Sequence, residues 1–506
     1  MLIRLSSLPL HVILAMFVLC LSATGASKTN DPQEERLLSK TELETHLRFL
    51  AADELMGRET GTEGNDVAAR YIAEQFRNYG LEPAPGSEDF FQSVPMVRTT
   101  PPQTQRLALD GRDLKPGEDF ILVRGSNIFL SAPVVDADHG MADPGDGSRD
   151  LEGKVALVKF GDEKGNNGPQ SLSLKRERLT ARGAVAVIEL YAGHQWQMFV
   201  SYLQQPNLGL SSGDKAEESI PHLLVKKNES IREELLASKV SITASESGSE
   251  EIRSNNVVGV LEGSDSRLRQ EWVALTAHFD HVGASPDLHG ATAEDFIFNG
   301  ARDNGMGTVA LLAAAKHLAA DPPARSVIFI ALTAEEVGLL GSSHYVENPA
   351  VPLKQTVFVL NNDGGGYNDT SLVTVLGLDR TTAREDIARG SLKAGLEAFG
   401  GEPQIQRFFN QSDNVRFARK GIPAPTFSPG FREFDQEILR FYHRPSDEAD
   451  ELFDFEYLLS FARAYAYSAE FIANNPRRPA WIAGDEYEDT AKSLYGDPAD
   501  SSSTQD

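Results

Sequence analysis

The chain has 506 residues, a formal net charge of -26 and 41% hydrophobic residues. At roughly 150 residues per domain, this length predicts two or three domains, and the hydrophobic fraction supports a buried core rather than wholesale disorder. The acidic balance argues against nucleic-acid binding, which needs clustered Lys and Arg. It suits cationic ligands, free amino termini among them, although solubility alone is the commoner reason for such a charge.

Residues 1–26 read as a signal peptide. Arg4 supplies the positive start, Leu8 to Leu21 is an apolar run interrupted by His11, and Ala23-Thr24-Gly25-Ala26 suits cleavage. The run is short for a membrane span. The expectation is a secreted or periplasmic protein with no stable span once the signal is removed, and an uncleaved anchor is the alternative. Cys20 is the only cysteine and lies inside this segment. The mature chain would then have no disulfide and no thiolate site, so any metal must be held by His, Asp and Glu.

Ser39 and Glu42 form a capping box ahead of a helix carrying Leu43, Leu47 and Leu50 on one face. A second helix is predicted over Asn65 to Tyr79, stopped by Gly80. The stretch Gly57 to Gly64 between them is a glycine-punctuated loop. From about 100 to 250 the texture becomes β-rich, with runs at 128–130, 134–135, 155–160 and 184–190 and a helix near 172–182. From 255 to 475 near-continuous apolar strands alternate with helices: strands over 272–277, 326–332 and 357–360, helices over 306–318, 383–399 and 455–472. That alternation predicts an α/β sheet buried on both faces. Residues 476–506 are acidic and are expected to be disordered.

The predicted strands of the last region run into metal-type ligands. Residues 272–277 lead to His278-Phe279-Asp280, 326–332 to Thr333-Ala334-Glu335-Glu336, and 357–360 to Asn361-Asn362-Asp363. Asp303 stands just before a helix, and His443 follows Tyr442. Sites in open α/β sheets form at the carboxyl ends of strands, and parallel strands lie about 4.8 Å apart, so these side chains can meet in one cleft. A pair of metals sharing a bridging carboxylate, with two more ligands each and a free carboxylate to move a proton, requires such a set. Singly, each acidic residue reads as a cap or a solvated group, and Glu335-Glu336 suits a helix N-terminus. Their joint arrival at strand ends is what weighs against that.

These segments resemble the M28 zinc aminopeptidases. The resemblance rests on Ala277 to His281, Gly300 to Asn304, Thr333 to Ser342, Asn362-Asp363 and Tyr442 to Asp447, and runs from about 40 to 475. It implies a phosphorylase/hydrolase-like α/β/α zinc peptidase core with a mixed, largely parallel sheet. Residues 41–98 would be its N-terminal helical part and 255–475 the catalytic domain. Residues 100–250, through Asp150 to Val158, are similar to an inserted, mostly β, protease-associated (PA) domain. The implied activity is a di-zinc exopeptidase that removes N-terminal residues from peptides through a metal-bridging hydroxide. His278 and Asp363 would bind one Zn2+, Glu336 and His443 the other, and Asp303 both. Glu335 would be the general base, Tyr442 a donor to the oxyanion, and Asp280 the carboxylate that orients His278.

Two departures concern the pocket and leave the ligands intact: Asn414 after Ser412-Asp413, where His is common, and Gly364-Gly365-Gly366 after Asp363, where an apolar pair is common. Among weaker features, Asp136, Asp138, Asp143, Asp146 and Asp150 read as a solvated loop whose spacing does not fit a calcium hand. His281, His289 and His344 have no independent claim as ligands. Rival readings are a mono-zinc glutaminyl cyclase, a non-enzymatic relative, and a metallo-carboxypeptidase using Arg302, Arg407, Arg416 or Arg432 to hold a carboxylate.

Overall fold

The computed structural model describes residues 37–143, 150–161, 169–211 and 220–496. The expected signal peptide, Asp146 and the last part of the acidic tail lie outside the described residues.

The chain enters through α1 (Lys40–Leu50), whose N-terminus carries the Ser39–Glu42 capping box, and α2 (Glu63–Asn78). It then forms β1 (Glu82–Pro83) and the long strand β2 (Phe91–Thr100). An inserted stretch follows, with β3 (Gln105–Leu109), β4 (Arg112–Leu114), β5 (Phe120–Arg124), β6 (Ile128–Asp136), β7 (Val155–Lys159) and α3 (Pro169–Ala181). It continues through β8 (Ala186–Tyr191), α4 (Trp196–Leu203), β9 (Asn207–Leu210), β10 (His222–Lys226), α5 (Ile231–Ala237) and β11 (Lys239–Ala244). The chain returns along β12 (Gly248–Leu261) to β13 (Trp272–His278), α6 (Met306–Ala320), β14 (Ser326–Leu332) and α7 (Leu340–Glu347). It closes with β15 (Thr356–Asn362), β16 (Leu372–Leu376), α8 (Arg384–Lys393), β17 (Glu397–Phe399), β18 (Thr426–Pro429), α9 (Phe455–Asn474) and α10 (Glu488–Tyr495).

Two sheets result. The main sheet runs β17-β16-β18-β15-β13-β14-β12-β2-β9, with β1 beside β12. Its centre is parallel, since β13 pairs in parallel with both β14 and β15, and β15 with β18. Parallel pairing recurs at the edge between β16 and β17, but the sheet as a whole is mixed, because β16 joins β18 antiparallel, β12 joins β14 antiparallel, and the β2–β12 and β2–β9 pairs are antiparallel too. The second sheet, β4-β3-β11-β6-β7-β8-β10-β5, is built wholly within 105–244. The inserted stretch is not self-contained, however, because its β9 leaves that sheet and pairs with β2 of the main one.

Alternation explains the three layers. In β14, Val327, Phe329 and Ala331 face the layer of α1, α2, α6 and α9, while Ile328, Ile330 and Leu332 face the opposite layer with Tyr345 and Val346 of α7. Period-2 alternation with both faces apolar is the pattern of a strand covered on each side. No described helix is long and apolar enough to cross a membrane.

Two expectations need correction. The helix predicted over 383–399 stops at Lys393, because Gly395 adopts a left-handed φ of 84°, and Glu397–Phe399 becomes an edge strand. The tail expected to be disordered from 476 is ordered to 496. Trp481 is buried and its Nε1 donates to the Gly421 carbonyl, Arg380 clamps Asp485, and α10 packs Ala491, Leu494 and Tyr495 on the core. Acidic neighbours hide that apolar face in the sequence.

Candidate metal centre

Parallel pairing brings three loops to one edge of the sheet. His278 is the last residue of β13, Glu335 and Glu336 follow β14, and Asp363 follows β15. Asp303 arrives from the segment Ala301–Gly305 that leads into α6, and Tyr442-His443 from the turn after the short helix Gln436–Leu439.

In a tetrahedral site with bonds of 2.0–2.2 Å, neighbouring donor atoms stand about 3.3 Å apart. His278 Nε2 lies 3.1 Å from Asp363 Oδ1 and 3.6 Å from Asp303 Oδ1. His443 Nε2 lies 3.2 Å from Asp303 Oδ2 and 3.2 Å from Glu336 Oε2. The two oxygens of Asp303 thus face different partners. Although His443 Nε2 has carboxylate oxygens so close, it is buried and makes no hydrogen bond among the described residues. The donor set, nitrogen and carboxylate oxygen at ligand-pair spacing with an orphaned imidazole nitrogen, fits a divalent metal. His281 joins His443, Asp303 and Glu336 in one compact group of potential ligands.

Electrostatics tell the same story. Burial works against charge on His278 and His443, but the surrounding carboxylates outweigh it. They hold His278 well above its usual range and push His443 up to about 10. Burial, reinforced by Asp363, Glu336 and Asp413, pushes Glu335 well above the usual carboxylate range. Burial also raises Asp280 to about 6 and Asp413 to about 7. The cluster therefore lacks positive charge, which a bound cation supplies.

The supporting contacts are specific. The carboxylate of Asp280 accepts from the backbone N–H of Glu335 at 3.1 Å and of Glu336 at 3.3 Å, and from Thr60 Oγ1 at 3.1 Å. It therefore fixes the Glu335-Glu336 turn, which the left-handed Ala334 (φ 59°) opens. This departs from the expected role for Asp280. His278 Nδ1 is 3.2 Å from the Asp280 carbonyl oxygen but 3.9 Å from its carboxylate, so the backbone orients the ring. Asp447 accepts from the backbone N–H of Arg302 and Asp303. Gly300 has a left-handed φ of 59°, and a Cβ there would come within 2.6 Å of the His281 ring.

Two positioning residues were not singled out from the sequence. Arg58, buried beneath the site, donates to the carbonyls of Phe279, Leu50, Asn299 and Gly300. His281 Nδ1 lies 2.8 Å from Glu336 Oε1. Their partners are distant in sequence, so periodicity cannot reveal them. The only available cue for His281 is its place one residue after Asp280.

A cavity of about 200 Å³ opens beside the cluster, lined by His278, Asp303, Glu335, Glu336 and Asp363 together with Leu376, Phe408, Phe431, Phe434 and Tyr442. Tyr442 stacks on His443 with ring centres 4.1 Å apart, and burial followed by nearby carboxylates keeps its hydroxyl protonated. A Cβ on Gly365 would sit 2.3 Å from the Tyr442 ring, so glycine there permits the tyrosine's position.

None of the four arginines considered for a substrate carboxylate lines this cavity. Arg302 is buried against Asp447 and Phe441, Arg416 donates to the Gly338 carbonyl, Arg432 pairs with Asp369, and Arg407 lies over the Phe408 ring. In the inserted stretch, Asp136, Asp138, Asp143 and Asp150 each pair with a basic side chain: Arg232, Lys159, Arg178 and Lys154 respectively. His289 and His344 are not among the clustered ligands.

Known proteins place this arrangement. The chain is 29% identical over 353 residues to aminopeptidase YwaD of Bacillus subtilis (strain 168), covering 68% of this chain and 69% of that one. It is 34% identical over 158 residues to the vacuolar membrane protease of Saccharomyces cerevisiae, covering 31% of this chain but only 14% of that protein. Its fold resembles the solved aminopeptidase from Aneurinibacillus sp. strain AM-1, with a TM-score of 0.56 and 20% identity over 90% of this chain and 98% of that one. Residues 256–468, which carry every ligand candidate described above, match the profile of Peptidase family M28.

Proposed function

We propose that the protein is a secreted or periplasmic aminopeptidase that works with two zinc ions. The observation that carries the two-metal reading is Asp303. Its Oδ1 faces the His278–Asp363 pair and its Oδ2 faces the His443–Glu336 pair. Four carboxylates converge here, those of Asp303, Glu335, Glu336 and Asp363, and two divalent cations balance them. A one-metal cyclase would leave one of the two ligand groups without a purpose.

His278, Asp363 and Asp303 would hold one zinc, and Glu336, His443 and Asp303 the other. Bound zinc would polarise the scissile carbonyl and lower the pKa of water. The side chains supply the rest. Glu335, turned toward the cavity by the Asp280 clamp, accepts the proton of the attacking water and passes it to the leaving amine. Its raised pKa, lowered again once cations are present, suits both halves of that transfer. Tyr442 keeps its proton and donates to the oxygen that gains charge. The acidic side chains of the lining pair with a substrate ammonium group, and its apolar side chains receive the adjoining side chain. Among the described residues no Lys or Arg lines the cavity to meet a terminal carboxylate, which disfavours a carboxypeptidase. The likeness to aminopeptidase YwaD supports the same direction. The inserted stretch, read as a protease-associated module, would wall the cleft, and its deletion should alter substrate choice more than metal content.

The test pairs metal analysis with a free and an N-acetylated version of one peptide. Two zinc ions per chain and a loss of orders of magnitude in rate on acetylation are expected. Full activity at one metal, or equal rates on the two peptides, contradicts the reading.

A further inference from the structure

We infer that His281 is a positioning residue for one metal only. It holds Glu336 so that a single carboxylate oxygen faces the metal shared with His443 and Asp303. The inference rests on the two-metal reading above.

The oxygen engaged separates a ligand from a support. The four contacts between the proposed ligands run from 3.1 to 3.6 Å, around the roughly 3.3 Å expected of donors on one tetrahedral ion. His281 Nδ1 to Glu336 Oε1 is 2.8 Å, a hydrogen-bond distance. The oxygen it engages is Oε1, whereas Oε2 is the one that meets His443. The carboxylate is therefore divided, one oxygen to an imidazole N–H and one to the metal position.

The ring has no other polar use. It is 1% exposed, and its Nε2 has no hydrogen-bond partner among the described residues. Burying an imidazole with one nitrogen unpaired is unfavourable, and the Glu336 contact is the compensation in view. The surroundings fix the ring. It meets His443 edge-on, with centres 5.4 Å apart at 78°, and its backbone N–H donates to the Arg58 carbonyl. Gly300 leaves the space that the ring fills.

Among the described residues no side chain donates to the Asp363 carboxylate in the same way, and the support at the other metal position is the Asp280 carbonyl at His278 Nδ1. Asp363 Oδ1 faces His278, and Ser428 donates to the Asp363 backbone carbonyl, not to its carboxylate. The two metals should therefore respond differently to loss of His281. Partners that orient a ligand typically contribute 10–100-fold in metal affinity.

The experiment is calorimetric titration of the metal-free full chain with Zn2+, in the wild type, His281→Phe and His281→Asn. Phenylalanine keeps the ring volume without a donor. Asparagine offers an amide N–H near the position of Nδ1. The expected result is two sites in the wild type, one of them weakened about 10–100-fold in His281→Phe and the other within threefold, with partial recovery in His281→Asn. If His281→Phe does not fold, recovery of two wild-type-like sites in His281→Asn but not in His281→Ala carries the same expectation. Two sites that weaken equally, or not at all, overturn the role given to His281. A wild type with only one zinc site overturns the two-metal reading beneath it, and the claimed selectivity with it.

Discussion

Replacing Arg58 by methionine tests how the site is supported from below. The guanidinium is 1% exposed and donates from Nε to Phe279 O at 2.7 Å, from one terminal nitrogen to Leu50 O at 2.5 Å and Asn299 O at 2.6 Å, and from the other to Gly300 O at 3.0 Å. These carbonyls belong to the end of α1, the loop after β13 and the loop before Asp303. Methionine fills much of the volume but leaves the buried carbonyls of Phe279, Leu50 and Asn299 without a donor among the described residues, at about 1–3 kcal/mol each, while the Gly300 carbonyl keeps the Gly305 N–H. Burial pushes the arginine down to about 10, opposed by Asp280, Asp447, Asp303 and Glu336, so it stays charged at neutral pH. Removing it takes away the guanidinium's own desolvation cost, which offsets part of the loss. At the low end of the range the three acceptors still cost about 3 kcal/mol, a large share of the 5–15 kcal/mol typical of a folded domain. Urea unfolding should show a large drop in midpoint at nearly constant slope. Lysine, which can satisfy only some of the four carbonyls, should fall between. An Arg58→Met variant within about 1 kcal/mol of wild type would refute the argument that these carbonyls depend on Arg58.

Further outcomes follow from the same geometry. Glu335→Gln should lower turnover by about 10²–10⁴-fold with metal content nearly intact, whereas Asp303→Ala should deplete metal at both positions; elemental analysis beside kinetics checks the contrast. Gly365→Ala should displace the Tyr442 ring, which lies 2.3 Å from the added Cβ. It should reduce kcat in the manner of Tyr442→Phe, on the order of 10², and the double variant should be little worse than either, read by steady-state kinetics. His46 hydrogen-bonds Tyr71 and Tyr79, and burial pushes it down to about 4 from an ordinary 6.5. Because its folded pKa is depressed, its contribution is fully present above about pH 6.5 and is lost as pH falls through about 4, up to about 3 kcal/mol. Denaturation at pH 7 and pH 4 should show that slope in the wild type and a smaller one in His46→Gln.

The ligands were legible because parallel strands deliver their carboxyl ends to one edge, so each apolar run pointed to its own ligand. Reading 272–277 and 326–332 as strands was enough to place His278 and Glu335-Glu336 together. What escaped depends on pairs that are close only in the fold. Arg58 reaches the Gly300 carbonyl from 242 residues away, and Asp447 the Arg302 N–H from 145. The long β2–β12 ribbon was missed because Glu250, Glu251 and Arg253 leave its outer half without an apolar signature. The tail was misread for the opposite reason, since Trp481, Tyr487 and Leu494 are too sparse among acids to show a period, although all three pack on the core, Leu494 from α10 and the other two from the segment before it.

Those hidden contacts also explain why the acidic cluster tolerates its own repulsion. Like charges this close in a buried setting oppose folding unless something answers them. Asp280 is answered by two backbone N–H groups and Thr60, Asp447 by Arg302 and two more N–H groups, and Glu336 by His281. Each of these carboxylates is tied to a rigid element at the edge of the parallel centre. Among the described residues, Glu335 and the outward oxygens of Asp303, Asp363 and Glu336 lack such an answer, and these residues line the cavity and the proposed metal positions. The fold thus satisfies the carboxylates that hold the frame and leaves the charge deficit where cations and a substrate ammonium can meet it.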